Sequence, residues 1–210
     1  MKKILILIIV ILASALFFHD ELRQIISPPE VTVKYEDLIV RNGLWYQKFS
    51  EIPFTGKTSG KKQGSFQNGK QEGAWVGYHD NGQLVYKVNY KNGKLEGAYF
   101  DYHKNGQLEY KGNYKNGKEE GAWVRYWENG QLFSKVNYKN GKEEGERVDY
   151  HDNGQLREKG NYKNGKEEGA WVRYWSNGQL LEKGNYKNGK RDGEWVYYYK
   201  NGQLLDKGNY

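Results

Sequence analysis

The chain has no cysteine among its 210 residues, 3 prolines and a single methionine. The missing cysteine rules out structural disulfides and any lipid anchor attached through an N-terminal cysteine. Apolar residues make up only 37% of the chain, and aliphatic side chains are scarce beyond the N-terminus, so an ordinary aliphatic core is excluded as well. Serine is rare, and nothing resembles a nucleophile elbow or a phosphate-binding loop. A clustered basic patch is also missing. The net charge is +7, but Lys2 and Lys3 belong to an N-terminal segment and the remaining excess is interspersed with Glu and Asp. That pattern argues against nucleic acid as a partner, because phosphate binding needs grouped Lys and Arg.

What is present is aromatic and glycine-rich: 27 Gly, 19 Tyr and 7 Trp. Rings combine a large buried area with a polar handle, so burial in this chain rests on them and the fold should be thin and wet. At the start, Lys2 and Lys3 precede an apolar run from Ile4 to Ala13, followed by Ser14 and Ala15. This reads as a secretory signal peptide cleaved after Ala15, or as a short uncleaved anchor helix ending at Phe18. The expected location is therefore exported: periplasm, cell envelope or extracellular space. Residues 19–34 contain Pro28-Pro29 and no periodicity, and read as a linker.

From residue 65 onward the chain is one unit repeated about six times. Asn-Gly-Gln-Leu begins at Asn81, Asn105, Asn129, Asn153, Asn177 and Asn201, and Asn-Gly-Lys begins at Asn68, Asn92, Asn116, Asn140, Asn164 and Asn188. Two phased turns per 24-residue period mean two strands per period. Asn-Gly is the strongest two-residue hairpin signal, since a type I′ turn needs positive φ at both central residues. If both turns are of that kind, Trp171 faces and covers Gly184, and Trp175 faces Leu180. Alternation then places Trp75, Trp123, Trp171 and Trp195 on one face, with Tyr99 and Arg147 in the same slot, and Tyr78, Tyr102, Tyr126, Tyr150, Tyr174 and Tyr198 on the other. The expected fold class is all-β: an elongated, twisted antiparallel meander of stacked hairpins, about twelve strands wide, following the N-terminal signal or anchor helix. Residues 35–64 break the period but keep Asn42-Gly43 and Leu44-Trp45-Tyr46, and read as a degenerate capping hairpin.

One unit by its fixed residues is Gly169, Trp171, Tyr174, Gly178, Leu180, Tyr186 and Gly189. This resembles the MORN repeat (membrane occupation and recognition nexus) in its bacterial variant, over residues 65–210, with Tyr99 and Arg147 as departures in the tryptophan slot. The resemblance implies stacked hairpins that bind proteins or lipids, with no catalytic residues to carry over. Some bacterial members of the family are labelled antitoxins, so beside the expected function, a non-catalytic exported scaffold for protein–protein interactions, the alternative is an antitoxin- or immunity-type protein that neutralises a partner toxin.

Candidates for chemistry resolve into ladders. His79, His103 and His151 share the slot of Trp127, Trp175 and Tyr199, and equivalent positions two strands apart, about 10 Å, are too distant to share a metal. Glu119-Glu120, Glu143-Glu144 and Glu167-Glu168 sit beside Asn-Gly turns, where a solvated turn accounts for them better than paired acid/base catalysis. No enzyme, cofactor or metal is expected. The aromatic rows are first of all packing, and also the one candidate binding surface: Trp75, Tyr99, Trp123, Trp127, Trp171, Trp175 and Trp195. The expected partner is a protein, with a membrane surface or a glycan as alternatives. The strand ending at Tyr210 leaves an edge open to self-association.

Overall fold

The computed structural model describes residues 30–210. The expected signal peptide or anchor helix and residues 19–29 of the expected linker lie outside the described residues. The described chain is all-β apart from one 3-10 turn, Tyr35–Asp37. From Gly56–Ser59 to Leu204–Asn209 the strands pair with their neighbours in chain order and antiparallel, as the phased turns require. The sheet is mixed, not purely antiparallel, because Thr32–Lys34 pairs parallel to Gly56–Ser59. Those three residues, expected as linker, complete the first edge. Between these two strands, Leu38–Arg41 and Leu44–Gln47 form a separate hairpin about Asn42-Gly43. It is tied down where Trp45 donates its N–H to Gly69 O at 2.8 Å and accepts the N–H of Phe54 at 2.8 Å. Beneath it Leu38, Phe54, Phe66, Trp75 and Val88 form a buried cluster.

The two Asn-Gly series fold differently. At Lys187-Asn188-Gly189-Lys190, Asn188 (φ 51) and Gly189 (φ 80) are both left-handed and Lys187 pairs with Lys190, a two-residue type I′ turn as expected. At Ser176-Asn177-Gly178 only Gly178 has positive φ, 83. Trp175 N donates to Gln179 O at 2.8 Å, and Gly178 N to Trp175 O at 2.9 Å. This is a three-residue loop, a type I turn whose glycine forms a G1 bulge. The register slips, and Leu180 pairs with Tyr174, not Trp175. The cause is the asparagine side chain. Its Oδ1 accepts the N–H of Gln179 at 3.1 Å, an Asx turn that holds Asn177 out of the left-handed region. Its Nδ2 donates to Lys200 O of the next unit at 2.8 Å.

Both turn series are thus stitched to their neighbours. At the type I′ turns the stitch runs backward: Asn188 N donates to Glu168 Oε2 at 2.8 Å and Gly189 N to Glu167 O at 3.0 Å. The same pair of bonds recurs at Asn92, Asn116, Asn140 and Asn164, using Glu72, Glu96, Glu120 and Glu144. The second acid of each pair therefore satisfies a main-chain donor of the following turn, a more specific role than solvation.

The tryptophans form the core of the repeats. Trp75, Trp123, Trp171 and Trp195 are 2% exposed or less. Trp171 pairs in register with Gly184, but its ring lies on Gly160 of the preceding hairpin, and Gly184 is covered by Trp195. The bulge explains this. Asn185 pairs with Asp192 and Lys183 with Val196, so Gly193, Glu194 and Trp195 all stand opposite Gly184, with Gly193 left-handed at φ 71. The surplus residues swing the indole back over the glycine. Edge-to-face contacts then run from Tyr162 to Trp171 (5.4 Å), Tyr186 (5.6 Å) and Trp195 (5.0 Å), linking unit to unit through rings.

Candidate binding cleft

The structure divides the seven candidate surface residues. Trp75, Trp123, Trp171 and Trp195 are buried and present no ring face to a partner, which corrects their place in a binding surface. Their burial follows from the glycine beneath each one. Trp127 and Trp175 are half-buried at the loop, and their indole N–H groups donate to Tyr150 O (3.3 Å) and Tyr198 O (3.2 Å) of the next unit. His103 and His151 place Nε2 at 3.0 and 2.9 Å from Tyr126 O and Tyr174 O in the same way. At these four positions histidine and tryptophan are interchangeable because both offer a ring nitrogen to that carbonyl, whereas His79 in the same slot leaves its Nε2 without a partner among the described residues. No cluster of three or more potential metal ligands occurs among the described residues. Tyr99 is half-buried, its hydroxyl donating to Asp101 Oδ2 at 3.3 Å.

A second relation was also legible in the sequence and was missed. A methyl carbon placed on Gly64, Gly112, Gly160 or Gly184 would lie 2.0–2.3 Å from the ring of Trp75, Trp123, Trp171 or Trp195. Only glycine fits below an indole there. In the two units where this slot holds valine, Val88 and Val136, the tryptophan is replaced by Tyr99 and by Arg147. The second exchange opens the sheet face. Arg147 does not fill the volume of an indole but folds onto Glu143 Oε1 (2.8 Å) and Asp149 (Nε to Oδ1 3.1 Å, Nη2 to Oδ2 3.0 Å). Ser134 stands where Tyr86 and Tyr110 stand in earlier units, and donates to Asp149 Oδ1 at 2.6 Å. What remains is an open cleft of about 360 Å³.

Rings of Tyr110, Phe133 and Tyr138 wall this cleft, together with Val136, over the buried indole of Trp123. Its charged lining is Asp101, Glu109, Glu143, Arg125 and Arg147. Arg125 donates to Glu109 Oε1 at 2.8 Å. Beside the cleft an ion-pair ladder begins at Glu143. It runs through Arg147, Asp149, Arg157, Glu158, Arg173 and Glu182 to Arg191, with each successive pair within 3.7 Å. Asp149 is fully buried within it. Burial alone would raise its pKa, but hydrogen bonds from Arg147 and Ser134 outweigh this and hold it below the usual carboxylate range. Asp101 and Glu143 are pushed up, in both cases chiefly by burial. Glu143 is partly compensated by Arg147, whereas Asp101 has no cationic partner within 4.0 Å among the described residues.

Chemically this is an aromatic-walled recess whose charged lining carries one excess negative charge. No helix among the described residues is long and apolar enough to cross a membrane. No curated protein matches the chain. The family model for the MORN repeat variant matches residues 71–92, 95–116, 119–140, 143–164, 167–188 and 191–210. These six phased matches follow the stitched hairpins one by one, and the chain belongs to the MORN repeat variant family.

Proposed function

We propose that this protein is an exported, non-catalytic scaffold that holds a protein partner at the cell envelope. MORN repeats are in general non-catalytic modules that bind proteins or membranes, and the apolar run from Ile4 behind Lys2 and Lys3 supports export. The single observation that carries the binding role is the cleft. At the one repeat whose tryptophan slot is not filled by a ring, Arg147 borders a cleft of about 360 Å³ lined with both aromatic and charged side chains. Such a recess suits an anchor side chain from a partner, the arrangement in which a few groups dominate an interface. A glycan reading is not favoured, since Trp123 and Trp171 are 0% and 2% exposed and offer no face for stacking. A pull-down from envelope fractions, with the tagged chain expressed in its own host, tests the proposal. Recovery of a partner that is lost when the cleft is filled by Ser134→Tyr supports it, and recovery of cytosolic partners alone refutes it.

A further inference from the structure

We infer that the cleft is a receptor for one cationic side chain, lysine or arginine, of an extended polypeptide. The inference deepens the scaffold reading and rests on it only in taking the guest to be part of a protein. Its basis is the charge left over after every pair in the cleft is assigned. Arg125 is held by Glu109 at 2.8 Å, and Arg147 by Glu143 at 2.8 Å and by Asp149. Asp149 in turn shares Arg157 at 2.9 Å. Neither arginine has a charge to spare for an anion. Asp101 alone remains, its carboxylate touched by the Tyr99 hydroxyl at 3.3 Å and the Tyr102 N–H at 3.1 Å, neither of them cationic.

A half-buried carboxylate in this position is stabilised by any cation that can reach it without water. The walls favour the same guest. Faces of electron-rich rings attract ammonium and guanidinium groups, and aliphatic stems of Lys and Arg pack against apolar walls while the head reaches a polar site. Phe133 already shows this chemistry, with Arg125 and Arg157 lying 5.2 and 5.1 Å from its ring centre. One excess carboxylate fits one cation, so the site takes a single basic side chain and not a basic tract.

The test uses the purified full-length chain and three probes: the capped pentapeptide Gly-Gly-Lys-Gly-Gly, its Glu counterpart, and n-butylammonium chloride, followed by titration calorimetry and by NMR of the tryptophan indole signals. The lysine peptide should bind at least about ten-fold more tightly than the glutamate peptide, the factor expected for one charge-assisted contact. Asp101→Asn should weaken it by about the same factor with the melting temperature unchanged, and Ser134→Tyr should abolish it by filling the recess. Equal affinity for the two peptides, or wild-type affinity in Asp101→Asn, overturns the inference. Butylammonium binding as tightly as the lysine peptide overturns the assignment to a polypeptide and leaves a free amine as the guest. If the lysine peptide binds as expected while no envelope partner is captured, the scaffold reading fails and the cation site stands.

Discussion

Replacing Gly160 by valine separates the packing argument from strand propensity, because the two predict opposite signs. Gly160 has no positive φ, so backbone strain plays no part. On propensity alone a glycine in a strand is unfavourable, and valine would stabilise by up to about 1 kcal/mol. The structure predicts the reverse. The first carbon of the new side chain would sit 2.2 Å from the Trp171 ring, against about 3.5–4.0 Å for carbons in contact. Either the sheet distorts, at about 1–3 kcal/mol for overpacking, or the indole leaves its site and forfeits part of the roughly 3–5 kcal/mol that truncating a buried tryptophan costs. A loss of about 3 kcal/mol is expected, read as a shift in urea midpoint at unchanged slope. The double variant Gly160→Val with Trp171→Tyr copies the pair Val88 and Tyr99 that the chain already uses. It should be more stable than the sum of the single losses predicts, by about 1–2 kcal/mol of coupling. A neutral or stabilising Gly160→Val, or strict additivity in the double variant, would refute the reasoning.

The ion-pair ladder and the turns give further tests. Asp149→Ala strands Arg147 and Arg157 without their buried carboxylate and should cost about 3 kcal/mol in denaturant unfolding. Because the folded pKa of Asp149 is lowered, its contribution is present above the usual carboxylate range and lost as pH falls through the folded value, so the wild type should lose stability in acid where Asp149→Ala no longer does. Glu168→Ala removes the acceptor of the Asn188 N–H and should cost about 1 kcal/mol, with faster amide exchange at Asn188 as the local readout. Burial pushes Tyr114 and Tyr162 from 10.0 up to about 12. A raised folded pKa means stability that is full below the unfolded value and lost as pH rises through the folded one, so unfolding monitored by tyrosinate absorbance should set in between about pH 10 and 12.

The fold was legible because its signals are local and repeated. Asn-Gly at two phased positions dictates hairpins wherever it stands, and an even period keeps faces aligned from unit to unit. The type I′ turns at Asn68 and its five successors follow directly from that dipeptide. What escaped was everything decided between units. Asn177 has the same Gly after it as Asn188, yet its side chain binds Gln179 N and the next loop, and this selects a three-residue turn and slips Leu180 by one position. Reading one hairpin in isolation also placed Trp171 over Gly184, since the bulge at Gly193 that redirects the equivalent indole belongs to the contact with the following strand. The parallel strand Thr32–Lys34 gave no periodic signal, being three residues long beside Gly56–Ser59.

The exclusion between tryptophan and a Cβ beneath it also explains where a repeat of this kind can acquire a site. A regular unit uses its own indole to cover the preceding glycine, which closes that slot on its face of the sheet. Val88 makes the smallest exchange, and Tyr99 still closes the face with a ring. Val136 forces a larger one: Arg147 cannot cover it, must be neutralised, and draws Ser134, Glu143, Asp149 and Arg157 into a polar network in place of a ring stack. The missing ring is the cleft, and the carboxylate across it, Asp101, is the one the network leaves without a cation. Converting this region back with Val136→Gly and Arg147→Trp should therefore close the cleft and end lysine-peptide binding while Asp101 stays in place. Binding that persists in that variant would show that Asp101 and its neighbours act without the recess.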